Sequence, residues 1–184
     1  MSLRLVTPPD GFPVTAADAK AACRVLHDDE DGYFDLLIAA ATDHVERFTG
    51  RAILPQTWEM VLDAFSDAIL IPRGPVTEIE AISYFDSDES EQMVSASTYV
   101  LDDVSDPQWV VRGSAYSWPV VADGVNNVTI RFVAGYETVP AALKQAILLL
   151  VAHWYRNREA ASDKAMAEMP HSVEALLVNF RSFA

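Results

Sequence analysis

The chain has 184 residues, 51% of them apolar, and carries 13 Lys and Arg against 27 Asp and Glu, a formal net charge of −14. That length and apolar share support one respectable core, read as one domain with an appendage. The charge argues against ordinary nucleic-acid binding, because a protein that grips phosphates needs clustered Lys and Arg to displace counterions. It leaves room for a surface that DNA slides past. The excess is uneven: residues 1–139 hold 8 Lys and Arg against 23 Asp and Glu (−15), whereas residues 140–184 hold 5 against 4 (+1). The lone Cys23 has no partner for an internal disulfide or a Cys-based zinc site, so a reducing compartment is expected. The first residues lack the apolar core of a signal peptide, and the longest apolar run, 146–152, is too short to span a bilayer. The expectation is a soluble intracellular product with no membrane contact.

Residues 1–14 hold Pro8, Pro9, Gly11 and Pro13 and read as an extended lead-in. Thr15 then caps a short first helix with capping-box spacing to Asp18, and Ala19, Ala22, Cys23 and Leu26 follow a helical period. After the acidic break HDDEDG at 27–32, residues 33–49 place Leu37, Ala40, Ala41, His44, Val45 and Phe48 on one face, with Gly50 as C-cap. From Gln56 the texture changes to the alternation of strands. Candidates are 56–64, 68–71, 79–85, 99–101, 109–112 and 127–133, divided by polar, turn-rich stretches and read as an antiparallel meander.

Residues 135–159 read as one long helix, with Thr138 as cap and Pro140 in the first turn. Leu143, Ile147, Leu150, Val151 and Trp154 form its core face, and Arg156 and Arg158 suit the negative end of its dipole. In the tail, Val173, Leu176, Leu177 and Phe180 make an apolar stripe at i, i+3, i+4 and i+7. A helix that short is marginal alone and needs its own core or a partner's groove to lie on. The expected fold is therefore α+β and mainly helical. Residues 15–55 and 136–159 supply a three-helix core: two N-terminal helices plus the long helix near 139–158. A β-rich antiparallel insert spans 56–135, and a linker with a short C-terminal helix spans 160–184.

Catalytic and metal-binding patterns are missing. His27, His44, His153 and His171 lack metal-ligand spacing, and His44 and His153 read as satisfied core or boundary residues. Ser114 and Ser117 stand in a loop-like GSAYSW with no assignable His or acid partner. The acidic run 86–91 lacks the central glycine and distant Glu of a calcium loop and reads as a solvated turn. Trp58, Tyr84, Phe85, Trp109, Tyr116 and Trp118 have no basic residues among them and suit core or subunit contacts better than base stacking. No cofactor is expected, and a small hydrolase using Ser114 or an acidic metal site, or a generic acidic interaction domain, stand as the alternatives.

The run 128–159, VTIRFVAGYETVPAALKQAILLLVAHWYRNRE, resembles the tailed-phage head-tail connector (adaptor) family, the group of the phage HK97 and phiE125 adaptors and those of gene transfer agents. The likeness rests on Ala134-Gly135-Tyr136, Val139-Pro140, Leu143-Lys144, Ala146-Ile147, Trp154-Tyr155 and Arg158-Glu159. It extends to VERFTGR at 45–51, Gln56-Thr57-Trp58, Pro75-Val76, Ile82-Ser83-Tyr84 and the VEALL run at 173–177 with Phe180-Arg181, and so covers nearly the whole chain. The resemblance implies a non-enzymatic protein that forms a ring, dodecameric by family expectation, beneath the portal protein. Such a ring joins the capsid to a stopper-like neck or tail component, in the neck of a virion or phage-like particle, after assembly in the host cytoplasm. DNA passes through without specific binding. It also implies that the C-terminal segment attaches to the portal, through Val173, Leu176, Leu177, Phe180, Arg181 and Phe183.

Overall fold

The computed structural model describes residues 1–158 and 170–182. They divide into two compact units: residues 1–10 and 55–135 with Ser182, and residues 11–54 and 136–158 with 170–181.

The first unit is built from strands β1 (Ser2–Thr7), β2 (Gln56–Leu62), β3 (Ala68–Leu70), β4 (Val76–Phe85), β5 (Glu91–Met93), β6 (Tyr99–Asp102), β7 (Trp109–Arg112) and β8 (Val128–Ala134). They form two antiparallel sheets, one of order β1-β2-β8-β4-β5 and one of order β3-β7-β6. This is not the expected meander. The last strand, β8, inserts between β2 and β4, because its alternating side chains Val128, Ile130, Phe132 and Ala134 are all fully buried and match both neighbours. Register places Met60 opposite Ile130 and Ile130 opposite Ile82 on one face of the sheet. On the other face Glu59 of β2 stands opposite both Arg4 of β1 and Arg131 of β8. The buried side chain of Gln108 holds the start of β4 by pairing with both backbone groups of Val76.

Two strands were not foreseen. The lead-in is extended as expected, but residues ahead of its prolines pair with β2 as β1. The acidic run 86–91 closes a hairpin between β4 and β5: Asp86 Oδ1 accepts from the backbone N–H of Asp88 and Ser90, each at 3.0 Å, and Oδ2 accepts from Gln92 Nε2 at 2.9 Å. Both carboxylate oxygens of Asp86 are spent on the turn itself.

The second unit comprises α1 (Ala16–Cys23), α2 (Asp31–Thr49), α3 (Ala141–Arg156) and α4 (His171–Leu177), the last running into a 3₁₀ turn, Val178–Phe180. Thr15 and Asp18 form the reciprocal capping box at α1, and Gly50 ends α2 at φ 71°, the left-handed conformation that favours glycine. The long helix is shorter than its sequence pattern suggests. Thr138 does not cap it; Pro140 does, with its carbonyl accepting from Leu143 and Lys144 N–H at 3.0 and 3.2 Å. Sixteen residues make α3 about 24 Å long. Its Leu143, Ile147, Leu150 and Val151 are buried against Phe34, Leu37, Ile38 and Val45 of α2, and Trp154 is half-buried at the edge of the cluster.

The mainly helical, three-helix-core expectation is therefore corrected. The described residues are 33% helical and 27% strand, the helices number four, and the strands form two separate sheets. The overestimate came from reading α3 as nine residues longer than it is and from counting neither β1 nor β5. The core of the helical unit also contains a fourth helix: Val173 and Leu177 of α4 are fully buried in it.

Candidate docking site

The C-terminal segment was the candidate for partner attachment, and its placement follows from the end of α2. Thr49 Oγ1 donates to Val45 O at 2.7 Å, Gly50 turns the chain, and Glu46 Oε1 accepts from Ile53 N–H at 2.7 Å. Arg51, between these points, is 9% exposed, and its Nε donates to Phe180 O at 2.6 Å. Arg181 lies over the Phe48 ring at 5.2 Å. The VERFTGR run thus clasps the 3₁₀ turn that follows α4. Sequence reasoning had singled out this run for its likeness to a family but had assigned Arg51 and Phe48 no partner. An Arg directly after a glycine C-cap was the available signal.

The apolar stripe of the segment faces this clasp and the core. Val173 and Leu177 are at 0% exposure, and Leu176 and Phe180 are half-buried against the same cluster. The Val173 and Leu177 side chains are each enclosed by their own unit. Leu176 and Phe180 keep part of their surface, and Arg181 is exposed. The outward surface of the segment is otherwise His171, Ser172, Glu174, Ala175, Asn179 and Val178, the last 53% exposed. Phe183 lies outside the described residues.

A second clasp fixes the C-terminal end of α3. Glu30, read from sequence only as part of an acidic break, accepts from Arg158 Nη1 and Nη2 at 2.6 and 2.9 Å and from the Tyr155 hydroxyl at 2.6 Å. Arg158 chiefly, then Tyr155, lowers the Glu30 pKa to about 2. The same pairing raises the Tyr155 phenol.

The other chemical candidates stay apart. Ser114 lies in a turn after β7, and among the described residues no group of three or more His, Cys, Asp or Glu side chains is placed to hold a metal ion. His153 has Asn157 beside it, but His44 is not satisfied as expected. Its Nε2 is shielded from solvent and has no hydrogen-bond partner among the described residues, while its ring meets Trp154 edge-on at 6.0 Å. Cys23 is half-buried at the edge of the core, and burial pushes its thiol pKa up, away from the reactive thiolate.

What these surfaces describe is a scaffold: clasped helices, paired sheets and a C-terminal segment fastened to its own unit. The family model described as "Head completion protein" matches residues 14–183. The chain belongs to the head completion protein family, and its class is that of a structural head-tail connector. Solved structures agree along the whole chain. A chain of the "Neck of empty GTA particle computed with C6 symmetry" is 26% identical, with a TM-score of 0.80, covering 100% of this chain and 97% of its own length. Chains of the "Virion of native gene transfer agent (GTA) particle" and of the "Neck of native GTA particle computed with C12 symmetry" match with TM-scores of 0.79 and 0.78 at 26% and 27% identity, with the same coverage. No curated protein sequence matches.

Proposed function

We propose that this connector stands as a ring in the neck of a phage-like particle, beneath the portal, and joins the capsid to the next neck or tail component. The observation that carries the reading is its end-to-end likeness to a chain of a gene transfer agent neck, with 100% of one chain and 97% of the other superposed, in particles whose necks were computed with C6 and C12 symmetry. Twelve copies suit that symmetry. The role is structural and not enzymatic, as the family's is. Genome passes through the ring without being held, and a net charge of −14 per copy favours passage because it repels phosphates.

Attachment to the portal falls to the C-terminal segment. Val178 and Arg181 present the contact, with Leu176 and Phe180 at its edge, while Val173 and Leu177 fasten the segment to its own unit. Partners read an ordered surface in this arrangement, so docking need not meet the entropy of folding a loose tail.

Deleting the gene from particle-producing cells tests the placement. Filled heads without tails are expected by electron microscopy, with tails restored on complementation. Tailed, infectious or transducing particles at wild-type yield in its absence would overturn the proposal.

A further inference from the structure

We infer that the tip of the β4–β5 hairpin, with the loop 113–127 beside it, docks a protein of the particle that is neither this chain nor the portal, and that this partner presents an apolar centre with a basic rim. The inference rests on the neck reading above. Backbone hydrogen bonds hold the loop to the end of β4: Phe85 N–H donates to Asn127 O at 2.9 Å, and Ala122 N–H donates to Phe85 O at 2.8 Å. Asn127 Nδ2 closes the turn by donating to Ala122 O at 2.7 Å. On β5, Met93 stands opposite Ser83, which shares a face of β4 with Phe85. Phe85, Met93, Val120 and Val125 are thus brought to one end of the sheet, and all four are exposed, Met93 at 64% and Val120 at 81%. Four large apolar side chains left in water at one place, from three segments of chain, mark a contact surface where scattered single ones would not. β5 is also the last strand of its sheet, so among the described residues no strand pairs with its outer edge.

Charge complementarity states what the partner carries. Residues 74–130 contain ten Asp and Glu and one basic residue, Arg112, a net charge of −9. The Arg112 guanidinium is itself engaged, by Asp67 Oδ1 at 3.2 Å and the Tyr116 carbonyl at 3.0 Å. Asp88, Glu89 and Glu91 of the hairpin and Asp123 of the loop flank the apolar residues in sequence and are exposed. A protein surface that is apolar at its centre and basic at its rim complements both features, whereas DNA phosphates are repelled. A second copy is a poor source of such a rim, because Arg4, Lys20, Arg47, Arg112, Arg131 and Arg158 are held in ion pairs by carboxylates of their own chain. The portal contact falls to the C-terminal segment, which belongs to the other compact unit.

A photo-crosslinking side chain placed at position 93 of the full-length chain, in necks isolated from particles, tests this. The expected product joins this chain to a different neck or tail protein, and mass spectrometry should place the crosslink in a segment whose apolar contact residue is flanked by Lys or Arg. Crosslinks to a second copy, to the portal or to DNA, a partner segment without basic residues, or no crosslink from necks that retain this chain would each overturn the inference and leave the neck reading intact. Necks that lack this chain would instead remove the neck reading on which it rests. In parallel, Met93→Asp should lower the yield of tailed particles about tenfold, as loss of a central apolar contact does. The charge reversal Asp88→Lys with Glu91→Lys should lower it as well, while each isolated variant melts as the wild type does. A wild-type yield of tailed particles from either variant overturns the docking assignment.

Discussion

Glu30 and Arg158 stand 128 residues apart in the chain and meet through two hydrogen bonds, at 2.6 and 2.9 Å, with the Arg158 guanidinium 4.0 Å from the centre of the Tyr155 ring. The pair ties the end of α3 to the start of α2. The two-point geometry fixes the guanidinium plane as a lysine could not.

Acid should loosen this clasp. The carboxylate form of Glu30 is favoured in the fold, so its contribution is complete above the ordinary value of 4.5 and is lost as pH falls toward about 2. Melting temperatures followed by far-UV circular dichroism should therefore fall more steeply over that window in the wild type than in Glu30→Gln. Parallel curves for the two proteins would show that the pair contributes nothing to the fold.

Two neighbouring tail positions should respond in opposite ways. Leu177 is fully buried, so Leu177→Ala should cost about 2–5 kcal/mol of stability, and Leu177→Asp should disrupt the helical unit. Val178 is 53% exposed, so Val178→Asp should change stability by no more than about 0.5 kcal/mol and yet weaken capture by the purified portal. Denaturant titration and a pull-down on the same samples separate the two effects.

Glu59 joins three strands. Its side chain is 6% exposed and accepts from Arg131 of β8 and Arg4 of β1, which hold its pKa below the usual carboxylate range, Arg131 most strongly. Because both arginines reach solvent once released, Glu59→Ala should cost about 1–2 kcal/mol, less than the loss of one partner from a fully enclosed pair. Urea titration checks the magnitude. Arg4→Ala should cost less than Arg131→Ala, since Arg4 is 73% exposed.

At the end of α2, Gly50 has a φ of 71°. Gly50→Ala should cost about 1 kcal/mol, because a Cβ crowds the backbone in the left-handed conformation. A variant as stable as the wild type would show that the turn into Arg51 tolerates another geometry.

Short-range signals in the chain carried much of the local structure. The Thr15–Asp18 box, the Gly50 cap, the α3 face of Leu143, Ile147, Leu150 and Val151, and six of the eight strands are legible because capping and side-chain period act between residues a few positions apart. The likeness to head-tail connectors was legible as well, since it depends on the order of short apolar pieces along the chain. β1 escaped notice because the prolines that follow it dominate the composition of the first 14 residues. β5 has three residues, too few to show a period.

Tertiary structure alone decided the rest. An apolar stripe such as Val173, Leu176, Leu177 and Phe180 states that one face must leave water, but the hydrophobic effect has no direction and does not name the surface that covers it. Arg51 and Phe48, more than 100 residues away, and the buried face of α3 answered that question, and they leave Val178 and Arg181 exposed. β8 likewise could have paired with β7, its predecessor in sequence. Matching buried side chains on β2 and β4 placed it between them, a choice made by long-range packing that no local pattern contains.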